Sequence, residues 1–234
     1  MSARVVQEQD GAVSPAQMAV RVRPPRSNLK ALSVRPVLPS VVRPLIVEHH
    51  YLHSMPAATW RCFGVYAGAE LAGGAVFTAG PRHGWRLMRG GRPQHVAALA
   101  RLWLADDLPK NAESRVIGVI LRLLRQENMW KLLLSYADPA AGHRGTIYQA
   151  TGWLYLGRGS PGSYVDLGDG KPCHPRTVYG RLGANGIGHL RRTGVPARRC
   201  LIAGKHRYVY VLDPAWRWRL RDTPQPYPRN GHAP

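Results

Sequence analysis

The chain is poor in acidic residues, in cysteine and in long apolar segments. Of its 234 residues only 13 are Asp or Glu, against 33 Lys and Arg, so the formal net charge is +20 at pH 7. Cys62, Cys173 and Cys200 are widely spread and form no CxxC pair, which suits a reducing cytosol better than a disulfide framework. No apolar run approaches the ~20 residues of a membrane-spanning helix, and no secretory signal is apparent. We therefore expect an intracellular protein that has no membrane partner.

Lysine is also scarce, because 28 of the basic residues are Arg and only 5 are Lys. Arginine matches phosphate oxygens and base edges, although a GC-rich genome would enrich it as well. Positions 171–234 carry 13 basic and 2 acidic residues, a net charge of +11, and codon bias does not concentrate charge in this way. Aromatic residues interleave with this segment, which is typical of nucleic-acid binding. An anionic membrane surface is the less favoured partner, because no amphipathic helix accompanies the charge.

The hydrophobic pattern predicts alternating strands and helices. Strands are predicted at 32–37, 57–66, 71–78, 131–136, 153–157 and 208–212, and helices from Pro39, at 111–126 and at 146–151. The segment 96–105 fits either state, and turns dominate after residue 158. This order predicts an α/β protein with one mixed central sheet flanked by helices. The predicted organisation is a flexible arm (1–28), a core (29–160), a basic carboxy-terminal part packed on or extending it (161–222) and a flexible tail (223–234).

Two segments concentrate groups that can do chemistry. His50, Tyr51 and His53 come at the end of the first helix, where they could supply a base, a metal ligand or a base-contacting edge; the alternative is a helix terminus at which a charged histidine favours the dipole. Arg101 lies in an apolar run and needs a partner, which is either a structural ion pair or a phosphate or carbonyl ligand.

The start of the long helix is a candidate anion site. Lys110, Ser114 and Arg115 surround backbone N–H groups that can bind an anion. The alternative is ordinary capping, in which Asn111 and Ser114 satisfy the first turn.

Three polar-rich segments resemble the phage Mom family of DNA-modifying proteins. They are HHYLHSMP (49–56), RLWLADDLPKNAESRVIG (101–118) and SYADPAAGHRGTIYQATGWLYLG (135–157), and the resemblance extends over about residues 30–215. It implies a Gcn5-like acyltransferase fold. It also implies that adenine N6 in double-stranded DNA is converted to a carbamoylmethyl derivative, in the cytoplasm of an infected bacterium, which protects phage DNA from restriction.

The resemblance implies roles for particular residues. Asp138, Tyr148, His50, Tyr51 and Ser114 would be catalytic, with Asp138 accepting a hydrogen bond from the adenine amine and Tyr148 protonating a leaving group. The dipeptide Asp138-Pro139 is also a common turn. Because a paired amine cannot react inside the stack, the adenine would be flipped out of the duplex.

The donor is unknown in this interpretation. Acetyl-CoA or a related acyl donor is one candidate, and Arg101, Lys110, Asn111, Ser114 and Arg115 would hold it, but the glycine-rich pyrophosphate loop of Gcn5-like enzymes is missing. Iron has been proposed for the family, and its ligands here would be His50, His53 and His143.

DNA would be held by residues from several parts of the chain, with Gln149 reading adenine. These residues are Arg82, Arg86, Arg144, Gln149, Lys205, Arg207, Arg217 and Arg219. A homodimer would suit a grip on duplex DNA, although no heptad pattern supports it. The alternatives are a coenzyme A-dependent N-acyltransferase acting on a small amine and a non-catalytic DNA-binding protein. The preferred interpretation requires Asp138, Tyr148 and His50 to share one hollow.

Overall fold

The computed structural model describes residues 29–228, and the predicted arm at 1–28 lies outside them. The strands are β1 Leu32–Val37, β2 Thr59–Ala67, β3 Glu70–Ala79, β4 Val96–Leu104, β5 Leu132–Ala137, β6 Leu154–Arg158, β7 Gly162–Asp166, β8 Arg198–Ile202 and β9 His206–Val211. The helices are α1 Pro39–His49, α2 Ala112–Glu127, α3 Thr146–Ala150, α4 Pro175–Leu182 and α5 Ile187–Arg192. Within residues 29–228 no helix combines the length and apolar character needed to cross a membrane.

Seven strands form one mixed sheet in the order β1-β2-β3-β4-β5-β9-β6. Every pairing is antiparallel except that of β4 with β5. The parallel pairing covers only Val96–Ala98 against Leu132–Leu134. Beyond it β4 stays with β3 and β5 stays with β9, so the two strands diverge and open a wedge in the middle of the sheet. The predicted α/β class, with a mixed central sheet flanked by helices, is confirmed.

Helices cover both faces of this sheet. The apolar stripe of α2, including Val116, Ile117 and Ile120, packs in one cluster with sheet residues such as Phe77 and Leu133. On the opposite face α1 places Val42 and Ile46 against Cys62 and Val76, as the alternation of side chains along a strand requires. Each helix therefore buries one stripe and leaves its polar side in solvent.

The α1 side of the sheet is completed by two irregular segments around Gly84–Leu87 and Pro214–Arg219. Met88 is buried with Val96 and Leu132, and Trp85 and Trp216 pack around this cluster. Backbone bonds join the two segments, since Arg89 N donates to Arg219 O at 2.8 Å and Arg221 N donates to Leu87 O at 2.8 Å.

The expectation that turns dominate after residue 158 is wrong. Residues 159–205, which we call the inserted subdomain, form β7, α4, α5 and β8 between β6 and β9. This unit has its own apolar cluster, built on Val165, Val178, Leu190 and Ala197. Its helices have 8 and 6 residues and its strands 5 each, too short for a clear period in the sequence.

The beginning of the predicted tail contacts the sheet. Gln225 N donates to Tyr155 O at 2.8 Å, and the Tyr227 hydroxyl donates to Trp153 O at 2.8 Å. Residues 229–234 lie outside the described residues.

Candidate active site

The wedge between β4 and β5 is a cleft of about 510 Å³, a size typical of small-molecule sites. Its wall brings together four elements: the end of α1, the diverging halves of β4 and β5, and the segment 142–148. Among the predicted residues, the lining includes His50, Tyr51, Arg101, His143, Arg144 and Tyr148. The structure therefore gathers His50 and Tyr148 in one hollow, as the preferred interpretation requires.

The Ser135 side chain supplies a hydrogen bond to the β4 backbone where β4 and β5 separate. The Leu99 carbonyl accepts a hydrogen bond from Ser135 Oγ at 3.0 Å, and Ser135 Oγ lies 2.7 Å from the Tyr148 hydroxyl. A carbonyl can only accept, and serine has one hydroxyl proton, so the Tyr148 O–H donates to Ser135 when both bonds form. Burial raises the pKa of Tyr148 to about 12. Tyr148 is thus neutral, and its oxygen lone pairs are its remaining hydrogen-bonding capacity.

His50 is a neutral ring with a defined tautomer. Burial is the main reason that its pKa falls to about 4, and the positive charge of Arg101 adds to the effect. Its Nδ1 accepts the Leu52 N–H at 3.1 Å, so the ring proton of the neutral form is on Nε2. His50 therefore acts as a hydrogen-bond donor from Nε2, and of its predicted roles the base-contacting edge fits this state.

Arg101 follows a bulge in β4. Val76 pairs with Arg101 and Phe77 with Leu99, so Ala100 is the extra residue, and bulges commonly redirect side chains beside sites. Arg101 Nε donates to Ser54 O at 2.9 Å and Nη1 donates to Ala100 O at 2.8 Å. Within residues 29–228 it forms no ion pair with a carboxylate. The ligand alternative for Arg101 thus fits better than the structural ion pair.

Asp138 lies at the end of β5 but is not among the residues that line the cleft. One carboxylate oxygen accepts the Ala140 N–H at 3.0 Å and the other binds Lys205 Nζ at 2.7 Å. Burial would raise the pKa of Asp138, but the bonds from Lys205 and Ala140 outweigh it and hold the pKa below its usual value. Of the three residues expected to share one hollow, the structure does not bring Asp138 to its wall. The turn alternative for Asp138-Pro139 describes its backbone role.

The loop before α3 is held by hydrogen bonds from the Tyr208 hydroxyl and the Gln149 amide. The Tyr208 hydroxyl donates to Arg144 O, and Gln149 Nε2 donates to the Tyr208 hydroxyl at 3.0 Å and to Arg144 O at 3.3 Å. Gly145 has φ 79°, and a Cβ there would lie 2.3 Å from Tyr208 Cε2, so only glycine fits. The prediction that Gln149 reads adenine does not match this geometry, because its amide N–H groups already position the loop.

A second hollow, of about 420 Å³, opens at the start of α2. Lys110, Asn111 and Ser114 line it, together with Asp106 and Glu113; predicted Arg115 does not. Ser114 is therefore apart from the main cleft. Asn111 has φ 68° and its side chain makes no capping bond, so the capping alternative is wrong for Asn111.

The second hollow does not fit the pyrophosphate of coenzyme A. Its lining includes two carboxylate residues, Asp106 and Glu113, and one ammonium residue, Lys110, and the negative charges would repel a bound diphosphate. The glycine-rich loop that normally wraps this group is also missing.

The predicted metal ligands do not form a metal site. Among residues 29–228 no three His, Cys, Asp or Glu side chains are placed to hold an ion together. His53 Nδ1 lies 3.2 Å from Val47 O and must be protonated to bind it. His50 Nδ1 is occupied as an acceptor, whereas a histidine that ligates through Nε2 needs a proton on Nδ1. The residues present do not fit iron.

Most residues predicted to hold DNA are placed away from the cleft or are already paired. Arg207 binds Asp222 at 2.8 Å, and Lys205 binds Asp138. Arg219 stacks on Trp216 and Trp218, with its guanidinium carbon 4.5 and 4.8 Å from the two ring centroids. Arg82, Arg86 and Arg217 belong to the irregular segments on the α1 side of the sheet and do not line the cleft. Of the arginines predicted to hold DNA, only Arg144 lines the cleft.

The fold and cleft define an α/β protein whose polar site lies where two parallel strands diverge. Comparison with known sequences identifies its family: the Mom protein family matches residues 31–229, and the chain belongs to it. It is similar to the protein named methylcarbamoylase mom of Escherichia phage Mu, with 29% identity over 212 residues, which is 86% of this chain and 85% of the phage Mu protein.

Among solved structures, the chain is similar to acetyltransferases at low identity. An N-acetyltransferase from Staphylococcus aureus Mu50 has 14% identity and a TM-score of 0.43, covering 77% of this chain and 97% of that one. A spermidine N-acetyltransferase from Vibrio cholerae has 11% identity and a TM-score of 0.44, covering 78% and 96%.

Ser135 and His49 line the cleft but were absent from the predicted site, whereas Trp103 was a candidate wall for the flipped base. Ser135 carried a weak signal, because it is the only small polar residue in the apolar strand β5. Trp103 stacks on His49 with ring centroids 4.4 Å apart, and both rings line the cleft. Tryptophan at that position is equally typical of a core, so its sequence could not distinguish the two roles.

Proposed function

We propose that this protein is a transferase that modifies adenine N6 in phage DNA, adding a carbamoylmethyl group in the cytoplasm of an infected bacterium. The observation that carries the proposal is the cleft between β4 and β5, lined by Arg101, His50 and Tyr148, in a chain of the Mom family. The similar phage Mu protein is named a methylcarbamoylase. Protection of DNA from restriction would follow from the same modification.

The cleft suits an extruded adenine next to a small polar fragment. An amine engaged in Watson–Crick pairing cannot react in the stack, so the base must leave the duplex. The volume of about 510 Å³ accommodates a base together with part of a donor, because ligand sites of about 300–1,000 Å³ enclose larger molecules than a base.

The polar groups of the cleft then have complementary roles. The Tyr148 oxygen, whose proton goes to Ser135, accepts a hydrogen bond from the adenine amine and increases electron density on N6. His50 donates from Nε2 to a ring nitrogen or to an oxygen of the incoming group. Arg101 binds a carbonyl or phosphate oxygen of the donor. In the transfer a bond forms from N6 to the methylene carbon, and the bond from that carbon to its carrier breaks with its electron pair leaving on the carrier. The proton lost by N6 passes to the departing carrier.

Asp138 enters this proposal as a positioning residue. Its pair with Lys205 fixes the start of β9 against the end of β5, beside the cleft. That Asp138 accepts a hydrogen bond from the adenine amine stays a prediction. Asp138→Asn, which replaces the carboxylate with a carboxamide, would test it by the loss of the modified adenosine.

The test is expression of the full chain in bacteria, digestion of their DNA and mass analysis of the nucleosides. Wild-type protein should yield an adenosine heavier by one carbamoylmethyl group in place of a hydrogen. Tyr148→Phe should abolish the product and leave DNA binding unchanged, whereas Tyr66→Phe on β2, outside the cleft lining, should retain it. Unmodified adenosine from soluble wild-type protein would contradict the proposal, and a product retained in Tyr148→Phe would contradict the role of that hydroxyl.

A further inference from the structure

The inserted subdomain carries positive charge that the rest of the structure does not neutralise. From β7 to β8 it contains seven Lys and Arg residues and two Asp residues, Asp166 and Asp169. Asp166 is buried and binds Arg198 at 2.7 Å as well as the N–H groups of Gly168 and Gly170. Asp169 accepts the Lys171 N–H. The acidic groups of the subdomain are therefore used to build its own β7–α4 loop.

Several of its basic side chains point to solvent without an acidic partner. Arg191 donates to Ala197 O and Arg198 is paired, which leaves five basic residues of the subdomain. None of the five forms an ion pair within residues 29–228, and all are exposed. They are Lys171, Arg176, Arg181, Arg192 and Arg199. Lys205, the last residue of the subdomain, differs from these five because Asp138 binds it. Arg207 and Arg219 of the core are likewise held, by Asp222 and by two tryptophan rings.

The subdomain is joined to the core next to the end of β5. Its two connecting segments meet at Gly159 and Gly204, where Gly159 N donates to Lys205 O at 3.0 Å. A Cβ on Gly204 would lie 1.6 Å from Gly159 O, so the crossing admits only glycine. Lys205, the next residue, binds Asp138 at the end of β5. The exposed arginines are thus carried on a unit whose base adjoins the strand that forms one wall of the cleft.

We propose that the inserted subdomain is the surface that grips the phosphate backbone of duplex DNA beside the cleft. The phosphate-binding side chains are Arg176 and Arg181 of α4, Arg192 of α5 and Arg199 of β8. This inference rests on the proposed function for its choice of partner, and charge complementarity supports it, because unpaired guanidinium groups bind phosphates while releasing counterions. Backbone contacts of this kind position the duplex and leave base recognition to the cleft.

The experiment compares two double variants of the full chain that lose the same charge. Arg181→Ala/Arg192→Ala changes the subdomain, and Arg43→Ala/Arg122→Ala removes two exposed arginines of α1 and α2. Binding to a fluorescent duplex is measured by anisotropy over a range of salt concentrations. The subdomain variant should weaken binding by roughly 10- to 100-fold at about 0.1 M salt and lower the slope of log K against log[salt] by about 2. The control should stay within about two-fold of the wild type.

Thermal melting of both variants controls for folding, and Arg181→Lys/Arg192→Lys should restore most of the binding because the charge returns. The inference is overturned if the subdomain variant binds like the control, if Arg82→Ala/Arg86→Ala alone causes the loss, or if anionic phosphatidylserine vesicles bind the subdomain and the duplex does not. Nucleoside analysis separates this inference from the proposed function. Modified adenosine made by a subdomain variant with unchanged affinity contradicts the inference alone. Subdomain-dependent binding without any modified adenosine supports the inference and contradicts the proposed function.

Discussion

Ser135→Ala is the substitution whose cost follows most directly from the structure. The Ser135 side chain is 1% exposed and donates to the Leu99 carbonyl while accepting from the Tyr148 hydroxyl. Alanine leaves both partners without a bond. One unsatisfied buried polar group costs about 1–3 kcal/mol, so the loss of both bonds should lower the free energy of unfolding by about 2–6 kcal/mol. Tyr148→Phe removes one donor but leaves the bond from Ser135 to Leu99, and should cost only about 1 kcal/mol.

The double variant Ser135→Ala/Tyr148→Phe tests whether the two hydroxyls act as one hydrogen-bond chain or contribute to stability independently. With both hydroxyls gone, only the Leu99 carbonyl lacks a partner, so the double variant should cost about 1 kcal/mol less than the sum of the single variants. Urea denaturation measures this directly: with a slope of about 2 kcal/mol/M, Ser135→Ala should lower the midpoint by about 1–3 M. Ser163→Ala, an exposed serine of β7, should change stability by less than about 0.5 kcal/mol. Costs that add within about 0.5 kcal/mol, or a larger cost for Tyr148→Phe than for Ser135→Ala, would refute the chain.

Two further predictions concern stability. Gly204→Ala should strongly destabilise the protein and expose the subdomain to protease, because its Cβ would lie 1.6 Å from Gly159 O. The control is Gly118→Ala in α2, where the new Cβ would meet nothing within 4 Å, and it should stabilise the protein by up to about 1 kcal/mol. Thermal melting and limited proteolysis compare the two variants, and equal melting temperatures would contradict the close contact between Gly204 and Gly159. Because the folded pKa of His50 is about 4, against 6.5 for the free side chain, the unfolded chain takes up this proton first. Stability should therefore fall as the pH drops from about 6.5 to about 4. His50→Asn, which keeps an acceptor for the Leu52 N–H, should reduce this dependence in urea titrations, and an unchanged pH dependence would show that His50 titrates normally.

Much of the fold could be predicted because the relevant signals are local. The stripe of Val116, Ile120 and Leu124 predicts α2 from spacing alone, and β1 at Leu32–Val37 has the predicted bounds. The inserted subdomain escaped prediction because its short helices depend on packing around Val178 and Leu190 rather than on a long amphipathic pattern. Segment 96–105 was ambiguous in sequence, and pairing with β3 and β5 made it a strand.

The site divides in the same way. The residue types of the candidate site could be predicted from the sequence, since His50 and Tyr51 follow an apolar helix and Arg101 interrupts an apolar run. Their chemical roles stay predictions. Tertiary structure alone decided their partners. Ser135 meets Leu99 only because β4 and β5 separate after three paired residues, and Asp138 is held by Lys205 from a strand that pairs beside it. Such contacts join residues far apart in the chain, and strand register, which sets them, depends on the packing of the whole sheet.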